Sequence, residues 1–288
     1  MYTARIENRE DEIFILTGRE QEYQIIKIAG LNPPKAQINL TTVVGLDGAR
    51  FNSARLNTRN IVITVRINGD VETNRLRLYR YFRTREWCTF YYSNDSRDVS
   101  IEGWVESVEC DLFSRGETAQ ISIICPFPYF KSLAEIFADS SIVSPLFTFP
   151  FSINVGEPVM ISILDPDSEG FVNVMNGSEV EAGAVVTAEF SAAASSLEIK
   201  NTTTGEDMTL VYAFAAGDKV VIDTQKGQKS ILLIRGGDIT SIFTAIQPGS
   251  AFFQLAVGVN HFEYLVDNSS DVSGVFLSFR FNELYRGV

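Results

Sequence analysis

The chain has 288 residues, of which 45% are apolar and 21% charged, an ordinary globular composition that excludes a disordered or fibrous polymer. Its formal net charge of −12 sets a negative field against non-specific nucleic-acid or anionic-membrane binding, and no apolar run approaches the ~20 residues of a membrane-spanning helix. One histidine and three cysteines leave little material for metal sites or nucleophilic catalysis.

In chain order, alternating or β-branched apolar runs predict strands over residues 13–16, 23–28, 37–43 and 60–67. In the last of these, Ile61, Ile63, Val65 and Ile67 alternate with Asn60, Thr64 and Arg66, a strand with one buried face. Asp70 then caps a helix expected over 71–85, with Glu72 in its first turn and arginines toward its end, as the macrodipole favours. Val71, Leu78, Tyr79 and Phe82 share one face of it, while Arg77, Arg80 and Arg83 step by three along another. Strands follow at 89–92, 101–108 and 121–125, then a turn over 126–130 and a second, short helix over 132–138.

Between Phe130 and Phe151 the composition changes. Pro145 and Pro150 interrupt the chain there, and the net charge goes from −1 over residues 1–130 to −11 over 131–288. This places a domain boundary in the segment and divides the chain into residues 1–138 and 139–288. The second part predicts strands at 171–175, 185–190, 208–212, 219–222, 230–234, 259–266 and 275–281, with a small-residue loop at 191–196. Gly, Asn, Asp and Pro clusters separate them. Many short strands at close spacing make the fold class mostly β, as sandwiches or barrels.

No constellation for catalysis emerges. The nucleophile-elbow, phosphate-loop, zinc-protease and dinucleotide-binding spacings are missing. Cys88, Cys110 and Cys125 are an odd number without C-x-x-C spacing, which disfavours a zinc site or disulfide framework and points to a reducing cytoplasm. Cys125, inside an apolar run, reads as a core residue. His261 sits within a strand pattern without a base–orienter pair, and the carboxylate pairs Asp165/Asp167 and Glu206/Asp207 lie in turn sequences. The N-terminal stretch lacks the apolar segment of a secretion signal. Phe147, Phe149, Phe151, Phe252, Phe253, Phe262 and Tyr264 could stack on sugar rings as in a lectin, but most alternate within strands, which favours packing. The arginine series 77/80/83 admits three roles: tracking phosphates, pairing with carboxylates of a neighbouring subunit, or a solvated helix face.

A series of phrases carries further. The first half contains Gly30-Leu-Asn-Pro-Pro34, Asp47-Gly-Ala-Arg-Phe51 and Arg59-Asn-Ile-Val-Ile63. After the helix come Ile101-Glu-Gly-Trp-Val-Glu106, Phe113-Ser114 and Gln120-Ile-Ser-Ile-Ile-Cys-Pro-Phe-Pro-Tyr-Phe130. The second half contains Asn201-Thr-Thr-Thr-Gly205, Asp218 to Asp223, Lys226-Gly-Gln-Lys-Ser230, Phe252-Phe-Gln-Leu255, Phe279-Arg-Phe281 and Leu284-Tyr285. In this order, along nearly the whole chain, they resemble the siphophage-type distal tail proteins, the tail-tip hub family. The segment Leu255-Ala-Val-Gly258 departs from the pattern in lacking a proline before the glycine, which touches a turn only.

The resemblance implies an N-terminal β-sandwich or split-barrel domain with one helix that assembles into a six-fold ring, followed by a galectin-like β-sandwich. It implies a non-enzymatic virion component at the tail tip, without cofactor. The implied partners are five further copies in a homohexamer, the tail tube protein, the tail-associated fibre or lysin protein, and a receptor-binding protein or host surface glycan. Neither nucleic acid nor membrane is among them. Under this reading Arg77, Arg80 and Arg83 are candidates for contacts between subunits or with the tube. The alternative is a carbohydrate-binding, lectin-like module.

Overall fold

Strands occupy most of the computed structural model, which describes residues 2–16, 22–45, 47–111, 116–140, 170–267, 272 and 274–288. Pro145, Pro150, Phe147, Phe149, Phe151, Asp165, Asp167 and the Phe113-Ser114 phrase lie outside the described residues. The chain forms two compact units, Met1–Ala134 with Leu284–Val288, and Glu135–Glu283.

In the first unit the elements are β1 (Thr3–Asn8), β2 (Ile13–Ile15), β3 (Tyr23–Ala29), β4 (Ala36–Thr41), β5 (Arg50–Leu56), β6 (Arg59–Ile67), α1 (Val71–Tyr81), β7 (Trp87–Ser93), β8 (Asp98–Cys110), β9 (Thr118–Cys125) and the start of β10 (Phe130–Asp139). All pairings are antiparallel, in the order β2-β1-β7-β8-β9-β6-β3. Among the described residues β4 and β5 pair only with each other, as a separate two-stranded ribbon. β6 shows the expected alternation, with Ile61, Ile63, Val65 and Ile67 buried. Their core partners include Phe90, Val99, Ile121, Ile123 and Phe130. Gly103 on β8 is needed for close approach. A Cβ there would lie 2.6 Å from Ile123 Cγ2 and 2.9 Å from Cys125 Sγ.

Two expected elements differ. The helix expected to run to residue 85 ends at Tyr81: Phe82 leaves helical geometry, and Arg85 takes a left-handed φ of 74°. The Arg85 N–H then donates to Val105 O at 2.9 Å, so pairing with β8 captures the chain before another turn can form. The short helix expected over 132–138 is instead strand β10. Leu133 and Phe137 imitate helical spacing, but Lys131 and Ser132 pair with Ser100 and Val99 on β8. An open strand edge outweighs a weak local helix preference.

A buried cation, Arg59, is the first residue of β6 and in phase with its buried isoleucines. It is 3% exposed and, among the described residues, pairs with no carboxylate. Its guanidinium donates to Pro128 O at 2.7 Å, Asn32 O at 2.8 Å, Arg286 O at 2.5 Å and Gly30 O, and lies 4.5 Å from the centre of the Phe130 ring. Burial lowers its pKa from the ordinary arginine value, yet the group stays charged, and carbonyl dipoles replace water around it. Gly30 permits this geometry, having a φ of +91° and standing where a Cβ would fall 2.2 Å from Asn60 O.

The second unit contains β11 (Phe171–Asn176), β12 (Val185–Phe190), β13 (Ala194–Asn201), β14 (Glu206–Phe214), β15 (Lys219–Asp223), β16 (Ser230–Arg235), β17 (Asp238–Ser241), a 3₁₀ turn (Phe243–Ala245), β18 (Gly258–Val266) and β19 (Val275–Tyr285). They form two antiparallel layers, β17-β16-β15-β12-β19 and β11-β18-β13-β14. Phe262 and Phe279 bridge the layers at 4.6 Å between ring centres, and Phe190 stacks on Phe214 at 4.4 Å. β13 begins inside the segment expected to be a loop, with a register shift between Ala194 and Ser196 that accommodates the small residues. Asp218, buried on a turn, is bound by Arg235 at 2.5 and 2.8 Å, and this pairing holds its carboxyl below the ordinary range.

Two outcomes follow. Arg59→Met orphans four carbonyls, so it should lower unfolding free energy on the order of 3–5 kcal/mol. Arg59→Lys, a single point donor, should recover only part of this, as read by urea denaturation midpoints. Burial pushes the Cys88 and Cys125 thiols up to about 12, whereas Cys110 is half-buried. A thiol reagent at pH 8 should therefore modify Cys110 rapidly and the other two only on unfolding.

Candidate functional site

The arginine series lies at α1. Asp70 begins the helix as expected: its carboxylate accepts from Thr73 N–H at 3.3 Å and Thr73 Oγ1 at 2.8 Å, and these bonds hold its pKa below the ordinary value. Leu78 and Phe82 enter the core. Tyr81 is fixed by donating its hydroxyl to Ile6 O at 2.8 Å and to Glu12 O, and burial raises its pKa. Phe14 of β2 meets Tyr23, Tyr81 and Phe82 at ring-centre distances of 5.0, 5.0 and 5.3 Å. The helix is thereby clamped to the β1–β2 hairpin, with its other side exposed.

Between the helix and that hairpin runs an open groove of about 390 Å³, lined by Glu10, Glu12, Ile13, Phe14, Arg77, Arg80, Tyr81 and Arg83. All three arginines picked from the sequence line it. Arg83 does so from the segment after the helix, not from the helical face on which its spacing placed it. Arg77 pairs with Glu22 at 2.7 Å, and Arg83 with Glu10 at 2.9 Å and Glu86 at 3.8 Å. Among the described residues no carboxylate pairs with Arg80, whose carbonyl accepts from Arg83 Nε at 3.2 Å. Among the described residues the groove is thus a strip of mixed charge in which Arg80 has no carboxylate partner.

The other candidates are brought to no common site. His261 is exposed on β18, its Nδ1 2.6 Å from Asn173 Oδ1, an amide that cannot serve as a charged orienter. Phe253, Phe262 and Tyr264 are buried and so unavailable to a sugar face, while Phe252 is half-buried and stacked on Phe243. Among the described residues, no three His, Cys, Asp or Glu side chains converge to hold a metal ion, and no helix is long and apolar enough to cross a membrane. Sequence reasoning missed Arg59 as a structural centre. Its signal was a cation in phase with alternating buried isoleucines.

Residues 177–283 match the family model for the siphovirus-type tail component, C-terminal domain. No curated protein sequence matches the chain. Among solved structures, the SPP1 Dit (gp 19.1) protein, described as a paradigm of the hub adsorption apparatus in phages infecting Gram-positive hosts, is similar with a TM-score of 0.70 and 12% identity, covering 98% of this chain and 99% of that one. A chain of the phage P2 baseplate in its activated conformation with Ca gives 0.54 at 9% identity, covering 98% of each. The corresponding Sr form gives 0.53 at 9%, covering 97% and 98%.

Acid should loosen the helix that forms one wall of the groove. A carboxyl whose folded pKa is depressed stabilises the fold above its unfolded pKa of about 3.9, and that contribution disappears as pH falls through the folded value. Thermal melts between pH 5 and pH 2 should therefore lose part of their downward slope in Asp70→Asn, which keeps the cap bonds but not the charge; an unchanged slope would show that Asp70 does not contribute. Residues 177–283 thus carry a siphovirus-type tail component domain, and the chain along its length shares the fold of the SPP1 Dit protein and the P2 baseplate chains.

Proposed function

We propose that this protein is a structural component of a phage or prophage tail tip. Residues 1–138 act as the ring-forming domain, six copies closing through a heterologous interface in which unlike surfaces of neighbours meet. The ring joins the tail tube protein to the tail-associated fibre or lysin protein. Residues 139–288, a galectin-like sandwich, serve the receptor-binding apparatus and so host attachment. The observation that carries this reading is the tail-component domain in the second half, set in a chain whose whole length has a hub-protein fold.

The role is mechanical, not chemical. A ring must hold orientation against load, and the first unit is suited to that by an antiparallel sheet closed over one core and braced by a clamped helix. Arg77, Arg80 and Arg83 contribute to contacts between subunits or with the tube, with Arg80 supplying a guanidinium that no described carboxylate pairs. A bidentate carboxylate from the partner would complete its fork. The acidity of residues 131–288 keeps the outer domains apart in solution by mutual repulsion.

Light scattering on the full chain, combined with negative-stain imaging, tests this. A six-fold annulus is expected, and a monomer at all concentrations would overturn it. Arg77→Glu/Arg80→Glu changes exposed groups, so stability should move by no more than about 1 kcal/mol, while ring formation and tube binding weaken at least tenfold. Unchanged mass and tube binding would remove the arginines from the interface and leave the ring intact.

A further inference from the structure

The first unit is built from two separated stretches of chain: Leu284–Val288 belong to it, although residues 135–283, the second unit, lie between them and Ala134. Tyr285 and Val288 pack against the core that holds Ile61, Ile121 and Phe130, and the Arg97 guanidinium lies 4.3 Å from the centre of the Tyr285 ring. The residues after Tyr285 are gripped by their backbone. Arg286 O accepts from Arg59 at 2.5 Å, Gly287 O accepts from Arg97 at 2.5 Å, and Val288 N–H donates to Leu31 O at 3.1 Å. Arg97 is itself set by the β7–β8 turn, where its N–H donates to Asn94 Oδ1 at 2.8 Å. At residue 287 the fit depends on glycine. A Cβ there would fall 2.9 Å from Pro33 Cδ and 3.1 Å from Leu31 O, and neither a proline ring nor a main-chain carbonyl yields as a flexible side chain does.

Unseating this segment reaches the middle of the unit. Arg59 is 3% exposed, so a donor that loses the Arg286 carbonyl has no water to replace it unless the surrounding structure opens. The same event removes Tyr285 and Val288 from the core edge and frees Leu31 and Pro33, on the approach to the β4–β5 ribbon. A unit opened in this way loses local stability around β6, the strand that Arg59 begins. Residues 1–134 are therefore incomplete until a segment reaches them that is synthesised only after residues 135–283. Seating it costs chain entropy in the intervening stretch, and a folded second unit has already given up most of that freedom. The order of events follows: the second unit folds, residues 284–288 seat, and the first unit closes.

We propose that residues 284–288 are a clasp that gates assembly. The first unit becomes competent for the ring only when the clasp is seated on Arg59, Arg97 and Leu31, so a chain enters the ring only with its second unit already made. The gate rests on the ring reading above, whereas the clasp does not.

Pulse-labelling hydrogen exchange and light scattering on the full-length protein, as it refolds from urea, test both. Amides of β12 and β18 should gain protection first, and those of β6 and β9 later, in one phase with Val288. Mass should rise only after that phase. Gly287→Val drives a side chain against Pro33. At equilibrium it should speed exchange at β6 and Val288 by about tenfold or more, leave β12 and β18 unchanged, and weaken assembly by a similar factor. Gly116→Val makes the same change in the same unit where, among the described residues, a Cβ meets only Arg66 Nε at 3.9 Å, and it should behave as the parent. Should Gly287→Val not fold, Arg97→Met, which deletes one donor without a clash, is read in the same way. Closure of β6 and β9 before Val288, or before β12 and β18, would overturn the clasp. So would first-unit exchange unchanged in both clasp variants, or a rise spread equally over both units. Normal assembly by a variant whose clasp is open would overturn the gate. A parent that stays monomeric while β6, β9 and Val288 close together would overturn the ring and the gate, and leave the clasp standing.

Discussion

A single buried cation organises the first unit. Arg59 is held by carbonyls from the β3–β4 connection, the β9–β10 connection and the C-terminal segment, and it lies against Phe130 at the start of β10. These are the segments through which the chain enters the β4–β5 ribbon, leaves for the second unit and returns from it. A guanidinium is the side chain suited to this position, because its planar fork places several donors in fixed directions while its charge does not titrate near neutrality. Neutral isosteres of similar volume would fill the space but leave the carbonyls without partners, which in a low-dielectric interior is the larger cost. The return segment is secured twice more, by Arg97 donating to Gly287 O at 2.5 Å and by Val288 N–H donating to Leu31 O at 3.1 Å.

The contrast between this interior and the unit's surface is what makes an assembly reading physical. Inside, polar groups are satisfied and aromatic rings interlock around Phe14. Outside, the unit displays Arg80, which no carboxylate among the described residues pairs, an exposed apolar ribbon face and a tryptophan-bearing sheet face. In the proposed ring the groove arginines would supply direction and register. In protein contacts charge complementarity governs specificity and encounter more than affinity.

The second unit solves a different problem. Its layers are closed by large aromatic contacts, but its loops are set by buried amides: Asn201 donates to Asn260 Oδ1 at 3.1 Å, Asn260 to Ala256 O at 2.8 Å and Asn176 to Leu255 O at 3.0 Å. Such fully satisfied networks favour one loop arrangement over its alternatives. They also account for the Asn201 turn phrase seen in the sequence. That asparagine is a structural pin that holds the turn over residues 202–205 and the approach to β18. Phe253, Phe262 and Tyr264 are turned inward, which closes these three rings to a sugar face.

Much of the fold was legible because a half-buried strand writes its environment at period two. β6, β12 and β18 could be read almost to the residue, and the Asp70 cap marked the start of α1. What failed did so where local and non-local preferences disagree. Leu133 and Phe137 have helical spacing, yet β10 is a strand because β8 offered an unpaired edge; α1 stops at Tyr81 because β8 captures Arg85. The site was half legible: the spacing of Arg77, Arg80 and Arg83 put them together, but which of them is already paired depends on Glu10 and Glu22, far away along the chain. Alone, then, the sequence determined the β class, the helix start, the family phrases and the candidate arginines, since each is a matter of neighbours within a few residues. The tertiary structure alone decided that Arg59 is buried among carbonyls, that Arg77 and Arg83 meet carboxylates and that the β4–β5 ribbon is exposed, because burial, ion pairing and exposure are properties of groups brought together only when the chain closes.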